Sequence, residues 1–299
     1  MRKAIRKQGA ESRTLWQESL IRFKRNKMAI VGLTLIIILI TISIGTIIID
    51  AVDGGNIYTK YVIKQNLQKR LMKPSLENIF GCDEYGRSIL FRMIWGTRYS
   101  LFVGVTAIVI ATLSGGLIGA VAGYYGGKID NLLMRVMDVF LAIPSMVLAI
   151  AVVAALGTSM FNLLLSIAVP QIPRFARIVR ASVMSVRDKE FIEASRAVGA
   201  NDIALIMKYI LPNAMAPIIV QATLGTANAI LSIAGLSYLG LGIQPPIPEW
   251  GAILTSAKMY MRDAWHISVI PGLGIMITIL ALNLFGDGLR DALDPKLKK

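Results

Sequence analysis

The sequence predicts an all-α membrane protein of six transmembrane helices. Of its 299 residues 55% are apolar and only 17% charged, and the mean hydropathy is +0.62. Ordinary soluble domains carry more charge and less apolar content. The apolar residues are gathered into runs of about 20, the length that crosses a bilayer as a helix. The basic residues gather at the ends of those runs.

The six runs are 29–49, 101–123, 132–156, 161–179, 214–243 and 267–286. The first, fifth and sixth hold no Asp, Glu, Lys, Arg or His. A charge at a helix centre costs roughly 2.5–3.5 kcal/mol, so that absence is informative. Residues 1–28 carry nine Lys or Arg against two acids, the loop from Arg174 to Lys208 seven basic residues, and the tail four. Positive charge marks the cytoplasmic side, so these three stretches belong there, and an even number of spans places both termini inside. The chain divides into a basic arm 1–28, a first transmembrane helix 29–49, an extracytoplasmic segment 50–100, a five-helix core 101–286 and a cytoplasmic tail 287–299.

The formal charge of +14 admits nucleic-acid binding in principle, but its placement beside the apolar runs points to a lipid bilayer and to no nucleic acid. Cys82 is the only cysteine and His266 the only histidine, so the chain has no internal disulfide and no cysteine-based metal cage. His266 is expected as an interface residue beside Trp265 at the outer end of the sixth span. The first apolar run is too long, and lacks the small-residue site, for a cleaved signal peptide.

In chain order, Leu15, Trp16, Ser19, Leu20 and Phe23 line one side of a helix in the basic arm, with Arg22, Lys24, Arg25 and Lys27 at its membrane end; this predicts an amphipathic helix on the membrane surface. The Ile-rich first span is expected to face lipid. Within 50–100, Gly86 to Ser100 mixes Arg87, Arg92 and Arg98 with Ile89, Leu90, Phe91 and Trp95, which predicts a helix in the interface whose arginines snorkel to water. The run from Phe80 to Ser88 reads as an ordered turn.

The second span carries Gly115, Gly119, Gly123 and Gly127 at intervals of four, a ridge for close helix packing. Tyr124 and Tyr125 mark the interface at its end. Arg135 and Asp138 in the third span are expected to pair with each other or to touch the cytoplasmic loops. Pro144, Pro170, Pro173, Pro217 and Pro271 interrupt the later spans, which suits a mobile bundle. Gln221, Asn228 and Ser232 in the fifth span and Asn283 in the sixth are candidates for lining a pathway or joining helices. The connection Gly240–Gly251 is rich in proline and suits a rigid outer rim.

The loop 187–213 stands apart. Asp188 is a candidate N-cap, Phe191, Ala194, Ser195 and Val198 share one face of a short helix, and Gly199 is a stop. Asn201 or Asp202 then begins a second helix, with Ile203, Ile206 and Ile210, that Pro212 interrupts or bends. Such a helix-turn-helix between two spans is suited to touch something outside the membrane. No phosphate-binding Gly-x4-Gly-Lys-Ser/Thr loop, zinc-protease motif or nucleophile elbow is present, and no acid pair lies within the spans, which argues against a self-sufficient enzyme. It equally lacks the midplane ionisable groups of a stand-alone secondary transporter or channel.

Glu193-Ala194-Ser195, Gly199 and Leu211-Pro212 resemble the EAA loop of bacterial ABC-importer permeases, with Ser195 in place of the second Ala and Tyr209 where Ile is frequent. Gly81–Arg87, Ala122–Gly127, Leu239–Pro246 and Gly286–Pro295 resemble the oligopeptide/dipeptide/nickel branch, in its OppC/DppC-type subunit. Cys82 stands where Thr is usual. Leu15-Trp16-Gln17 and Arg22-Phe23 are similar to OppC in particular.

The resemblance implies a type I ABC-importer permease fold in the bacterial cell membrane, with 187–213 as the cytoplasmic coupling loop. It implies a second homologous permease of OppB/DppB type, two cytoplasmic ATPase subunits that bind the ATP and Mg2+, and an extracytoplasmic substrate-binding protein. This chain itself would then hold no cofactor, no metal and no catalytic residue. Glu193, Ala194, Ser195, Arg196, Gly199, Leu211 and Pro212 would couple to the ATPase, with Glu193 meeting a basic group there. The cargo implied is an oligopeptide, with dipeptides or nickel as alternatives.

Overall fold

The computed structural model describes residues 15–293. The start of the basic arm and Asp294–Pro295 lie outside the described residues, as do the side chains of Leu15 and Trp16. Among the described residues the chain is helical, in the order α1 (Leu15–Arg25), α2 (Lys27–Asp53), α3 (Ile89–Tyr125), α4 (Gly127–Leu141), α5 (Ser145–Leu156), α6 (Met160–Arg187), α7 (Glu190–Ala197), α8 (Asp202–Ala204), α9 (Leu211–Tyr238), α10 (Trp250–Ala257) and α11 (His266–Leu293). A π-helical turn, Leu205–Ile210, joins α8 to α9.

Four helical stretches are long and apolar enough to cross a membrane: α2, α3, the continuous run Asp202–Tyr238 and α11. A fifth crossing arises if α4 and α5 count as one broken span, bent by 85° at Pro144. Proline has no N–H to continue the backbone ladder, so the third apolar run breaks there. The fourth run lies within α6, whose 28 residues suffice to span but whose second half carries Arg174, Arg177, Arg180 and Arg187.

α2 begins at Asn26, whose side-chain oxygen accepts from the backbone N–H groups of Met28 (3.1 Å) and Ala29 (3.2 Å). Most of its Ile side chains are exposed, as a lipid-facing helix requires. One line packs on α11: a Cβ on Gly32 would stand 2.7 Å from the Ala281 carbonyl oxygen. The most extensive seam joins α3 to α6. A Cβ on Gly115 would lie 2.5 Å from the Ile172 carbonyl oxygen, one on Gly119 would meet that of Ala176, and one on Gly123 would lie 2.8 Å from that of Arg180. Three glycines of the ridge are therefore backbone-to-backbone contacts. Gly127 is not, because it begins α4 with nothing near it.

The segment 50–100 corrects the expectation of an interfacial helix. Residues 89–100 are the first turns of the 37-residue α3, and Arg92 is buried there instead of snorkelling. Its Nη1 donates to the carbonyls of Val62 (3.2 Å) and Pro246 (3.4 Å), and its Nε lies 3.5 Å from Asp83. Asp83 is buried with Arg87, whose Nε donates to it at 2.7 Å. Arg98 pairs with Asp50 at 2.5 Å at the end of α2. Acids outside the helix, Asp83 in the turn before α3 and Asp50 near the end of α2, thus replace water as partners for these arginines, which local amphipathicity cannot reveal. Burial, and the neighbouring Asp83 charge, push the Glu84 carboxyl above its ordinary range.

His266 is also not an interface residue. Its side chain is fully buried, with Nε2 3.3 Å from the Cys82 carbonyl oxygen, while Trp265 is exposed. The tail expected after residue 286 is helical to Leu293: Ala292 packs with Phe23 and Ala29, so α1 closes against the end of α11. The proline-rich connection has no regular structure until Glu249. That buried carboxylate accepts from Gly251 N (2.8 Å), Ala252 N (2.8 Å), Ser237 Oγ (2.9 Å) and Ser100 Oγ (3.2 Å), fixing α10 to α9 and α3.

Candidate functional site

The loop 187–213 folds from local signals. Glu190 and Glu193 occupy the first turn of α7 and Arg196 the last, as the helix dipole favours. Asp188 is not the cap. Lys189 occupies that position without a side-chain bond, and Asp188 turns instead to Arg187 at 3.2 Å. Gly199 ends α7 at φ +92°, a left-handed conformation that costs an L side chain strain, and the Ala200 N–H reaches back to the Ser195 carbonyl at 3.2 Å. Asn201 starts the second helix, its side chain accepting from Ala204 N at 2.8 Å. Before Pro212 the chain widens into the π-helical turn, where Leu211 N donates to Ile206 O. Asn213 Nδ2 donates to the Tyr209 carbonyl at 2.7 Å beside the same interruption.

One side chain of α7 is buried. Ile192 is 0% exposed and packs in a cluster with Ala120 of α3, Val179, Val183 and Val186 of α6, and Leu205, Ile210, Ala214 and Ile218 below and within α9. The face bearing Phe191, Ala194 and Val198 points away from the protein, Phe191 being 42% and Val198 89% exposed. Glu193, Ala194, Arg196, Gly199 and Pro212 are exposed, Ser195 is half-buried with its Oγ donating to the Phe191 carbonyl, and Leu211 is half-buried against the Ile192 cluster. Ala194, Ser195, Val198, Gly199, Ala200 and Tyr209 line a shallow open depression of about 510 Å³. Ile203 and Met207 extend the exposed apolar surface on the second helix. A rigid, anchored helix therefore offers mixed acidic, basic and apolar groups outward, the composition of a docking surface.

The foundation beneath it is polar and specific. Arg180 grips Asp130 through two bonds of 2.5 and 2.6 Å, Arg177 meets Asp138 at 2.5 Å, and Arg187 donates to the Gly123 carbonyl at 2.7 Å. Asp138 thus pairs across to α6, not with Arg135 on its own helix. The Tyr124 hydroxyl donates to Asp202 at 2.6 Å, joining the end of α3 to the second helix of the loop. None of these pairs, nor Ile192, was marked by sequence spacing. Ile192 has no periodic apolar partner within an eight-residue helix, and the acids lie 39 and 50 residues from their arginines.

The candidate pathway residues separate into two sets. Gln221, Asn228 and Ser232 share one face of α9, at spacings of seven and four, with Asn228 exposed and the others half-buried. Asn228 Nδ2 and Ser232 Oγ donate to backbone carbonyls one turn earlier in α9. Asn283 is half-buried on α11, a different helix.

Residues 115–299 match the family of binding-protein-dependent transport system inner membrane components, and residues 14–74 match the N-terminal TM domain of oligopeptide transport permease C. Similar proteins include a dipeptide transport system permease protein DppC of Alkalihalophilus pseudofirmus, 46% identical over 95% of this chain and 90% of the relative. A di/tripeptide transport system permease protein DppC of Pseudomonas aeruginosa is 48% identical over 74% of this chain and 73% of its own. A glutathione transport system permease protein GsiD of Escherichia coli is 44% identical over 96% and 92%. Among solved structures, an inward-facing MetNI methionine ABC transporter chain superposes with a TM-score of 0.56 at 19% identity, covering 69% of this chain and 98% of that one. At that identity the likeness establishes the fold.

Proposed function

This chain belongs to the inner membrane components of binding-protein-dependent transport systems, as an OppC/DppC-type ABC-importer permease, and we propose that its cargo is a short peptide. It is a multi-pass membrane transport subunit with the all-helical type I permease fold. Three relatives whose names specify dipeptides, di- and tripeptides, and glutathione support the choice of cargo over nickel.

In this proposal the chain forms half of the translocation path with a second, homologous permease. An extracytoplasmic protein delivers the peptide, and two cytoplasmic ATPases bind ATP and Mg2+. Both termini and the loop 187–213 face the cytoplasm, in accord with the charge of residues 1–28 and 174–208. The chain supplies no catalytic group. α7 is the coupling helix, and the observation that carries this reading is its construction: one fully buried anchor, Ile192, beneath an outward face of Phe191, Glu193, Ala194, Arg196 and Val198. Glu193 offers a charge-assisted contact to a basic group of the ATPase. Gly199 permits the turn between the two helices, and Leu211 and Pro212 set how the second enters the membrane.

The test is purification in mild detergent from native membranes, followed by transport measurements on two variants. A second permease and two ATPases are expected to co-purify. Glu193→Ala and Gly199→Pro are expected to insert normally yet to lose transport. A chain reproducibly free of ATPases, or full transport by both variants, would refute the coupling role. Uptake of nickel without uptake of any peptide would refute the cargo.

A further inference from the structure

The α3–α6 seam fixes the depth of a set of charges that the coupling loop does not use. Gly115, Gly119 and Gly123 of α3 meet the carbonyls of Ile172, Ala176 and Arg180 of α6 in matching steps of four, so the two helices run parallel and share a vertical scale. Between Arg98 and Tyr125 α3 holds no charged residue. That stretch is about 40 Å long at 1.5 Å per residue, enough to contain a hydrocarbon layer of about 30 Å. Arg174 lies level with the residues between Gly115 and Gly119, about 12 Å from Tyr125. With the layer centred on the uncharged stretch, the Arg174 backbone sits about 7 Å inside it. Side chains lean toward the N-terminus of their helix, and here that direction carries the guanidinium deeper, away from the loop 187–213.

Arg174 is exposed and makes no hydrogen bond or ion pair among the described residues. Arg177, one turn on, is exposed and pairs with Asp138, with 55% and 54% of the two side chains accessible. Arg135, one turn before Asp138 on α4, is exposed and likewise unpaired among the described residues. Arg174 and Arg135 thus each lie one helical turn from a member of the Arg177–Asp138 pair, so this part of α6 and α4 carries three guanidiniums and one carboxylate at or near membrane depth. A cation against lipid at such depth is costly, so this face lies against water or protein. One backbone feature favours water. One turn beyond Asp138 the chain breaks by 85° at Ile143-Pro144-Ser145, which are exposed, while α6 stays helical through Pro170 and Pro173. Irregular backbone at membrane depth is tolerated where it lines an aqueous cavity or is buried, and the bend is not buried within this chain.

We propose that Arg174, with Arg177 and Arg135 beside it, forms an anion-binding wall of the translocation path that takes the carboxylate of the passing peptide. The proposal rests on the peptide-import reading and deepens it. A guanidinium binds a carboxylate through two parallel hydrogen bonds, and each free peptide presents at least its C-terminal carboxylate. The same wall repels a free divalent cation, so it discriminates between cargo classes that the coupling loop treats alike.

The test uses the purified complex in liposomes with its binding protein, ATP and a labelled dipeptide. Arg174→Gln is expected to lower dipeptide uptake about tenfold, and Arg174→Lys, which keeps the charge but loses the two-pronged grip, to lower it less. ATP hydrolysis stimulated by the binding protein should stay within about twofold, since the coupling surface is untouched. In a Cys82→Ala background, Arg174→Cys should react with a negatively charged, water-soluble methanethiosulfonate, and excess dipeptide should slow the reaction. Unchanged uptake by Arg174→Gln, or no labelling in any nucleotide state, overturns the wall while leaving peptide import standing. Loss of the second permease from both Arg174→Gln and Arg174→Lys on purification assigns the arginine to a partner carboxylate and also overturns it. A wild-type complex that imports no peptide overturns the peptide reading itself.

Discussion

Ile192→Ala separates the anchoring of α7 from its docking face. The side chain is fully buried among residues of α3, α6, the π-helical turn and α9. Truncation to Ala removes three carbon atoms, about 2.4 kcal/mol of transfer free energy at 0.8 kcal/mol per methylene. The cavity left behind raises the expected cost to about 3 kcal/mol, within the range for such changes. Because α7 has no other fully buried residue, that cost falls on its attachment. At 1.4 kcal/mol per factor of ten, the detached population rises about a hundredfold. Hydrogen exchange at the amides of 190–198 in the detergent-solubilised complex should accelerate by that order, with transport per ATP hydrolysed falling in parallel. Phe191→Ala is the counterpart. Its side chain points outward, so exchange should stay near wild type while ATPase affinity drops. Unaltered exchange in Ile192→Ala would falsify the assignment of Ile192 as anchor, and accelerated exchange with intact coupling would show that a fixed α7 is unnecessary.

Three further outcomes are expected. Gly119→Val places a side chain against the Ala176 carbonyl and should cost at least about 3 kcal/mol, read as loss of thermal stability in detergent. Gly116→Ala, whose Cβ would lie 4.0 Å from Val179 Cγ2, should be neutral in the same assay. Glu249→Gln replaces an acceptor-only group, at which four donors converge, by one that donates; a loss of about 2–3 kcal/mol is expected, with proteolysis of the Gly240–Glu249 connection as the readout. Glu84 is a carboxyl whose folded-state affinity for a proton is raised, chiefly by burial, so the folded protein binds more protons than the unfolded chain above the ordinary Glu range. Its contribution to stability therefore falls as pH rises from that range through the raised folded value. Thermal unfolding of Glu84→Gln should show less stability loss across that window, and an identical pH profile would refute the reasoning.

The apolar runs made the helical membrane class legible because hydropathy is a local, additive property. The glycine ridge was legible for the same reason: a spacing of four survives from sequence to helix face. The start of α3 was not. Its arginines and apolar residues alternate as in an interfacial helix, and what buries Arg92 is Asp83 on a neighbouring turn with the carbonyls of Val62 and Pro246. His266 was misplaced for a similar reason, since its burial depends on the Gly81–Cys82 turn 184 residues away. Within the loop 187–213 the outward residues were visible as a motif, and the inward one was not. A docking face is a local pattern, whereas an anchor is defined by what it packs against.

That asymmetry bears on how force reaches the spans. Arg180 on Asp130, Arg187 on the Gly123 carbonyl and the three glycine contacts tie α3, α4 and α6 into a block resistant to shear. The second helix of the loop is joined to this block by the Tyr124–Asp202 bond and by Leu205 and Ile210, packed in the same cluster as Ile192. In the proposed coupling role, a push on α7 would be delivered at Ile192 to both the block and the foot of α9. The two do not respond alike. The block is held by backbone contact and paired charges, whereas the foot of α9 is a π-helical turn just ahead of Pro212, where the ladder is already interrupted. π-helical turns frequently occur at functional sites. Displacement should accordingly concentrate in residues 205–212, tilting α9 and its polar face of Gln221, Asn228 and Ser232 relative to a fixed α3–α6 pair. Cross-linking α9 to α6 should then stop transport even where α7 and its proposed ATPase contact remain intact.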